Sequence, residues 1–278
     1  MSRRLAATAV ATLALLVVTA CSGGGHSATT TTADGGATTG SSAPVTTAGG
    51  PKITGEIKVA AASVFKDVFT RLATTFEEEH VGAKVVFDFG PSDTLASTLA
   101  DGARVDVFAS ADARSMDAVV KARRAAKPAV HVFATDRLEL AIPPTNPNMA
   151  GALSDLANPR LKVGLCVETA ACGKVQRAAL ARAKVKPSVD ETAPDAKSLI
   201  AKVASGELDV TIVHHSDVVA ANGKVIGVYI PDPQNVILSY SIVPLADARN
   251  AAGSLVFAAF INSDSARQVL LERGYQVP

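Results

Sequence analysis

Short apolar runs of strand length alternate with segments of helical spacing along most of this chain, and that alternation limits the folds it can adopt. Residues 57–62 predict a buried strand, and residues 64–80 then carry apolar side chains at helical intervals. Further strands are predicted at 83–89, 106–110, 138–142, 161–166, 209–214, 225–231 and 237–244. Further helices are predicted from Ser92 onward and at 115–125, 173–185, 195–205, 254–262 and 265–273. Such alternation is typical of parallel α/β sheets.

The sequence lacks the common motifs of catalysis and nucleotide binding. It has no G-x-G-x-x-G run, no Walker sequence, no G-x-S-x-G and no H-E-x-x-H. Its 27 Lys and Arg residues nearly balance 26 Asp and Glu residues, which leaves a net charge of +1 and no basic excess for nucleic acid. We therefore expect neither a common class of enzyme nor a nucleic-acid partner.

The first residues have the features of an export signal. Arg3 and Arg4 precede an uncharged stretch, residues 5–19, that is too short for an ordinary membrane span. The stretch ends in Val-Thr-Ala-Cys at Cys21, which resembles a bacterial lipobox. We expect a signal peptide at residues 1–20 and a lipid on Cys21 that anchors the protein to the extracytoplasmic face of the cell membrane. The alternative is a plain signal peptide followed by an accidental cysteine.

A polar segment separates this signal from the predicted fold. Residues 21–54 are rich in Thr, Gly and Ser, and they predict a disordered tether because nothing in them can bury a core. A Gly/Ser-type coil of this length spans about 30 Å. Roughly 225 residues remain, which is enough for one large or two small domains.

Four predicted helix starts have the chemistry of an anion site. They lie at Ser63, Ser92, Cys172 and Ala196, each just after a strand or loop. A helix start presents free N–H groups and the positive end of the helix dipole, and such starts gather at the carboxyl ends of parallel strands. Each serine hydroxyl either donates to the anion or serves as an ordinary N-cap.

Two cysteines remain after Cys21. Cys166 and Cys172 bracket a five-residue loop, and an even pair in an exported protein favours a disulfide. A free thiol pair and half of a metal site are the alternatives, although no second cysteine pair exists to complete a zinc site.

Three segments resemble the molybdate-binding proteins of ABC importers. They are the A-A-A-S run ending at Ser63, the F-x-x-S-x-T-L-A run of residues 89–96, and D-V-F-A-S-A-D at residues 106–112. Looser similarity continues over residues 163–180 and 212–218, so that the resemblance covers nearly all of residues 55–278.

The resemblance implies a type II periplasmic-binding-protein fold, in which two α/β lobes joined by a hinge close over a tetrahedral oxyanion. The first lobe is expected at residues 55–134 and 240–278, and the second at residues 135–239. The implied ligand is molybdate, with tungstate second, and no bare cation or cofactor is implied. The implied partner is an ABC permease, to which a monomer delivers the anion.

Carried over by position, the family's site falls on five residues. Ser63 and Ser92 would supply hydroxyl and backbone donors, Cys172 and Ala196 would supply backbone N–H groups, and His214 stands where the family commonly has a tyrosine. A histidine can add charge and a pH dependence near neutrality; the alternative is a polar residue that never contacts the ligand. A metal site at His214 and His215 is disfavoured because adjacent strand residues point to opposite faces.

Three other functions remain open at this point. The same fold could bind sulfate, phosphate or another oxyanion. It could carry an extracytoplasmic enzyme, although no nucleophile or acid–base pair stands at the predicted helix starts. It could also serve as a sensory or adhesive lipoprotein with a blocked or apolar cleft.

Overall fold

The structure, a computed structural model, describes residues 52–278. The strands are β1 (Gly55–Ala62), β2 (Ala83–Gly90), β3 (Val107–Ser110), β4 (His131–Asp136), β5 (Leu138–Ile142), β6 (Val163–Cys166), β7 (Val189–Ala193), β8 (Val210–His214), β9 (Ile226–Tyr229) and β10 (Leu238–Pro244). The helices are α1 (Lys66–Glu79), α2 (Ser92–Ala100), α3 (Ala113–Lys121), α4 (Ala171–Ala183), α5 (Ala196–Ser205), α6 (His215–Ala220), α7 (Ala251–Ile261) and α8 (Asp264–Glu272). Short 3₁₀ turns lie at Ser63–Phe65, Lys127–Ala129 and Leu153–Ala157.

Two five-stranded sheets organise the chain into two lobes. The first has the order β2-β1-β3-β10-β4 and the second the order β7-β6-β8-β5-β9. The chain passes from the first sheet to the second between Asp136 and Leu138, and it returns between Tyr229 and Leu238. Together with the surrounding helices, this arrangement confirms the predicted two-lobed α/β fold.

The alternation of strands and helices predicts parallel sheets, and the two sheets are instead mixed. β1 runs parallel to β2 and β3, but β10 runs antiparallel to both β3 and β4. In the second sheet β5 is antiparallel to β8 and β9. The reason is topological, because β5 and β10 are the strands through which the chain enters each sheet from the other lobe. The parallel strands β1, β2, β3, β6, β7 and β8 still carry helices after their carboxyl ends.

Aromatic side chains fill the core of the first lobe. Phe65 stacks on Phe69 with ring centroids 5.1 Å apart, and it meets Phe133 and Tyr240 edge-on at 5.2 and 5.1 Å. The second lobe packs smaller aliphatic side chains, among them Leu140, Leu165 and Ile212. The two cores share no residues, so each lobe has its own apolar centre.

Several predicted boundaries need correction. The tether was predicted to reach residue 54, but Ile53 is buried in the first core, and the carbonyl oxygen of Thr54 accepts a hydrogen bond from Asn250 at 3.0 Å. β4 and β7 were not predicted; the β7 pattern is disguised because four of its five residues are polar or exposed. The short helix α6 was also missed.

The predicted signal peptide, Cys21 and the tether up to Pro51 lie outside the described residues. Within residues 52–278, no helix combines the length and the apolar character needed to cross a membrane.

Candidate anion site between the lobes

A cleft of about 730 Å³ lies between the two lobes. The first lobe contributes the segments around Ser63, Ser92 and Asp112, and also Tyr240, whereas the second contributes residues 169–171, 174 and 175 together with His214. The cleft holds roughly 24 waters at about 30 Å³ each, far more than one tetrahedral anion occupies. A tetrahedral anion would therefore fill only part of this cleft.

Ser63 and Ser92 stand at the carboxyl ends of the neighbouring strands β1 and β2. Ser63 opens a 3₁₀ turn, so the helix itself begins three residues later than the sequence suggested. Ser92 is the first residue of α2, and its hydroxyl oxygen accepts a hydrogen bond from the Ala111 backbone N–H at 3.1 Å. That bond leaves the Ser92 hydroxyl hydrogen free to be donated into the cleft.

Neither serine is an N-cap. The cap positions are Ala62 before the 3₁₀ turn and Pro91 before α2, and neither helix start has a side-chain cap. The ordinary explanation for these serines is therefore wrong. Neither helix start has a side chain at its N-cap position that accepts a hydrogen bond, although Asp93 in the first turn of α2 accepts from the Thr94 backbone N–H at 2.8 Å.

The second lobe contributes the start of α4. Its N-cap is Ala170, which has no side chain able to accept a hydrogen bond. Gly173 allows the loop to fold tightly over the helix, because a Cβ there would overlap the carbonyl oxygen of Val167. The structure joins Cys166 and Cys172 in a disulfide, with Cα atoms 5.9 Å apart, across the same loop. The loop that presents this helix start is thus held at both ends.

A buried glutamine fixes α4 to the sheet below it. Gln176 accepts a hydrogen bond from the Cys166 backbone N–H at 2.8 Å and donates to the carbonyl oxygen of Ile212 at 2.6 Å. These bonds connect α4 with both β6 and β8, so the helix start has a defined position relative to the strand that ends at His214.

Two of the predicted ligand positions do not line the cleft. Ala196 is the first residue of α5, but that helix start is capped by Asp195, which accepts from the Ser198 backbone N–H at 2.7 Å. A carboxylate at this position repels an anion. Cys172 is held in the disulfide, and its neighbours Ala170 and Ala171 line the cleft instead.

His214 does line the cleft, at the end of β8. Its Nδ1 lies 3.1 Å from an Asp217 carboxylate oxygen, and its buried Nε2 has no partner among the described residues. Burial alone would lower the pKa of His214, but the hydrogen bond and charge of Asp217, together with the charge of Asp136, outweigh burial and raise it. The imidazole therefore holds its proton more firmly than an exposed histidine does.

Charged side chains of both signs also line the cleft, and no motif in the sequence singles them out. Arg114 and Lys174 are basic, and Asp93 and Asp112 are acidic. Asp112 is already engaged as the N-cap of α3, where it accepts from Ser115. Within residues 52–278 no group of three or more His, Cys, Asp or Glu side chains is placed to hold a metal ion.

Comparison with known proteins agrees with this architecture. The family model for bacterial extracellular solute-binding proteins matches residues 57–276. The chain belongs to this family. It is therefore a solute-binding component of transport rather than an enzyme, and it acts outside the cytoplasm.

The solute-binding protein is similar to proteins whose names state their ligands. It is 29% identical over 236 residues to the molybdate-binding protein ModA of Mycobacterium tuberculosis, which covers 84% of this chain and 90% of that one. Its fold matches the periplasmic molybdate-binding protein of Azotobacter vinelandii (TM-score 0.63, 20% identity, 80% of this chain and 99% of that one). The sulfate-binding protein SubI of M. tuberculosis has a similar fold (TM-score 0.64, 17% identity, 80% and 86%). The fold alone therefore does not decide between the two anions.

Proposed function

We propose that this solute-binding protein captures molybdate and delivers it to an ABC permease in the cytoplasmic membrane. The observation that carries the proposal is the meeting of three uncapped helix starts, at Ser63, Ser92 and Ala171, around one cleft. Uncapped starts supply oriented N–H donors and positive dipole ends, which suit a dianion. The similarity to molybdate-binding relatives supports the choice of anion.

Neutral donors suit a protein that must release its ligand. A site built from hydroxyl and backbone N–H groups holds a dianion by several moderate hydrogen bonds rather than by paired charges. Each lobe supplies only part of the set, with Ser63 and Ser92 from the first lobe and the α4 start from the second. Opening of the lobes would therefore divide the donors and let the anion leave.

We further propose that tungstate binds at the same site, because it is a tetrahedral dianion of similar size. Sulfate is smaller with the same charge, so a closed site of molybdate size would hold it with longer and weaker hydrogen bonds. Of the residues expected at the site, we propose Ser63, Ser92 and His214 as direct contacts; at the α4 start we propose the N–H group of Ala171, which lines the cleft, in place of that of Cys172. We assign Ala196 no contact because of the Asp195 cap.

We propose that the chain is exported by residues 1–20, lipidated at Cys21 and active as a monomer. A lipid anchor with a tether of about 30 Å would keep the binding lobes near the permease and raise their effective concentration there. Replacing Cys21 by Ser should release the protein from the membrane fraction into the soluble fraction. Protein that stays in the membrane fraction would contradict the anchor.

Isothermal titration calorimetry tests the ligand. The purified protein is titrated separately with molybdate, tungstate, sulfate and phosphate. We expect submicromolar binding of molybdate and tungstate (about −8 kcal/mol or stronger) and binding of sulfate at least about 100-fold weaker. Tight sulfate binding with no molybdate response would instead favour the sulfate-binding alternative.

A further inference from the structure

Tyr240 is a buried tyrosine beside the cleft, and its hydroxyl group has no role in the proposed function. It lies on β10, close to where the chain returns from the second lobe, and only 1% of its surface is exposed. It nevertheless lines the cleft between the lobes. Its hydroxyl is buried and has no hydrogen-bond partner among the described residues. A buried hydroxyl without a partner is unfavourable, and native proteins rarely leave one unless it has another role.

The surroundings of Tyr240 account for its ring but not for its hydroxyl. The ring packs edge-on against Phe65 and Tyr275, with centroids 5.1 and 5.8 Å away. The nearby carboxylate of Asp136 already accepts from the Ser216 hydroxyl at 2.6 Å and from the Arg137 backbone N–H at 2.8 Å. Packing therefore holds the ring in place, whereas the hydroxyl group makes no well-formed hydrogen bond.

The hydroxyl keeps its proton under all ordinary conditions. Burial, with the charge and hydrogen-bonding proximity of the Asp136 carboxylate added, raises the pKa of Tyr240 well above its usual value. A protonated phenol is a hydrogen-bond donor, and an anion is the acceptor that it suits best. The hydroxyl is therefore always ready to donate.

His214 is a second buried group that resembles the Tyr240 hydroxyl in this respect. Its buried Nε2 also lacks a partner, and it lines the same cleft. Two buried polar groups, one from each lobe, thus line the cleft without a well-formed hydrogen bond, and the acceptor that lies near the tyrosine, Asp136, already accepts from Ser216 and Arg137. An oxyanion in the cleft would satisfy both.

We infer that the Tyr240 hydroxyl donates a hydrogen bond to the bound oxyanion, as a ligand-binding group from the first lobe in addition to Ser63 and Ser92. The inference rests on the proposed oxyanion binding. It names a tyrosine ligand in a chain whose β8 ends in histidine instead. It also explains why a hydroxyl is kept on β10 at a position where phenylalanine would fill the same volume.

The substitution Tyr240→Phe tests the inference, with Tyr275→Phe as the matched control. Tyr275 is a neighbouring buried tyrosine, but its hydroxyl donates to the carbonyl oxygen of Val64 at 3.3 Å, and it does not line the cleft. Affinity for molybdate is measured by calorimetry, and the ligand-free thermal midpoint by differential scanning calorimetry, on the full chain as exported.

We expect Tyr240→Phe to weaken molybdate binding about 10- to 100-fold, because a hydrogen bond to a charged group is lost. Its ligand-free midpoint should stay the same or rise, since the lost hydroxyl had no partner. Tyr275→Phe should keep its affinity and lose stability. An unchanged affinity in Tyr240→Phe, or a lower midpoint with no loss of affinity, would overturn the inference alone. A wild-type protein that binds none of the four oxyanions would overturn the proposed function and this inference with it.

Discussion

The second lobe contains two helices that begin in similar places and end up with opposite properties. α4 follows the parallel strand β6, and α5 follows its parallel neighbour β7. α4 begins after Ala170, which cannot cap it, whereas α5 begins after Asp195, which caps it at 2.7 Å. Only the start of α4 lines the cleft. A carboxylate cap thus satisfies a helix start internally, and its absence leaves the start available to an anion.

The missing N-caps at the cleft also lower the stability of the ligand-free protein. A missing N-cap typically costs about 1 kcal/mol relative to Ser, Asp or Asn. The protein accepts this at α4, at α2 and at the 3₁₀ turn of Ser63, all of which line the cleft. Away from the cleft α7 and α8 are capped by Asn250 and Ser263, and α3 is the exception at the cleft, since Asp112 lines the cleft and caps that helix. Ligand binding should therefore stabilise the regions that the empty protein leaves unsatisfied.

Ala170→Asp breaks the comparison most directly, because it gives α4 the cap that α5 already has. A carboxylate about 4 Å from one charge of the anion repels it by about 4 kcal/mol at an effective dielectric constant of about 20. We expect molybdate affinity to fall at least about 100-fold, while the ligand-free protein gains up to about 1 kcal/mol of stability. Calorimetric titration and urea unfolding measure the two effects.

Ala170→Asn is the control for that substitution. It supplies a cap of similar shape without the charge, so it should stabilise the empty protein similarly and weaken binding much less. If both variants lose affinity equally, steric filling of the cleft rather than charge would be responsible. If both bind normally, the α4 start is not part of the site.

Ser63→Ala tests whether the uncapped turn of the first lobe also contacts the anion. Loss of one hydrogen bond to a charged ligand should weaken molybdate binding about tenfold or more. Stability should hardly change, because Ser63 is exposed and does not cap the turn that it opens. Ser97→Ala is the matched control, since Ser97 is exposed on α2 and lies outside the cleft lining. Equal affinities of the two variants would remove Ser63 from the site.

His214 predicts a pH dependence that a site of neutral donors alone would lack. The groups that face it, Asp217 and Asp136, raise its pKa above the usual value of about 6.5, so the imidazolium persists to a higher pH than usual. A dianion binds best while His214 is charged, and affinity should fall as the pH rises through that raised pKa. If binding raises the pKa by about one further unit, the fall is about tenfold.

Titrations between about pH 6 and about pH 9 in buffers of different ionisation enthalpy measure this effect as proton uptake on binding. His214→Gln should abolish both the uptake and the pH dependence, whereas His214→Tyr should keep or tighten binding. Wild-type affinity that stays constant over this range would show that no titrating contact exists.

Asp195→Ala should have the smallest effect on binding. The change removes the α5 cap and should cost about 1 kcal/mol of stability. Molybdate affinity should stay within about twofold of wild type, since separate sites act nearly independently. A large loss of affinity would mean that the α5 start belongs to the site after all, as the family pattern at Ala196 implied.

Much of this fold could be predicted from sequence, because strand and helix periodicities are local. The direction of β10 could not be predicted, since an apolar strand has the same pattern whichever way it runs. The position of Ser92 at the site followed from the family resemblance, whereas the choice between α4 and α5 depended on one capping contact, Asp195 to Ser198. Tyr240 carries no sequence signal at all: its pattern indicates only a core residue, and the unused hydroxyl is visible only in three dimensions.

The central claim is that uncapped helix starts, helped by His214 but not by Arg114 or Lys174, hold the anion. Anomalous diffraction from crystals of the molybdate complex locates the molybdenum atom independently of any model of the site. We expect the oxyanion between Ser63 and Ser92 on one side and the backbone N–H groups at the start of α4 on the other, at hydrogen-bond distance from each. Molybdenum bound instead by Arg114 and Lys174, or at the capped start of α5, would contradict the claim.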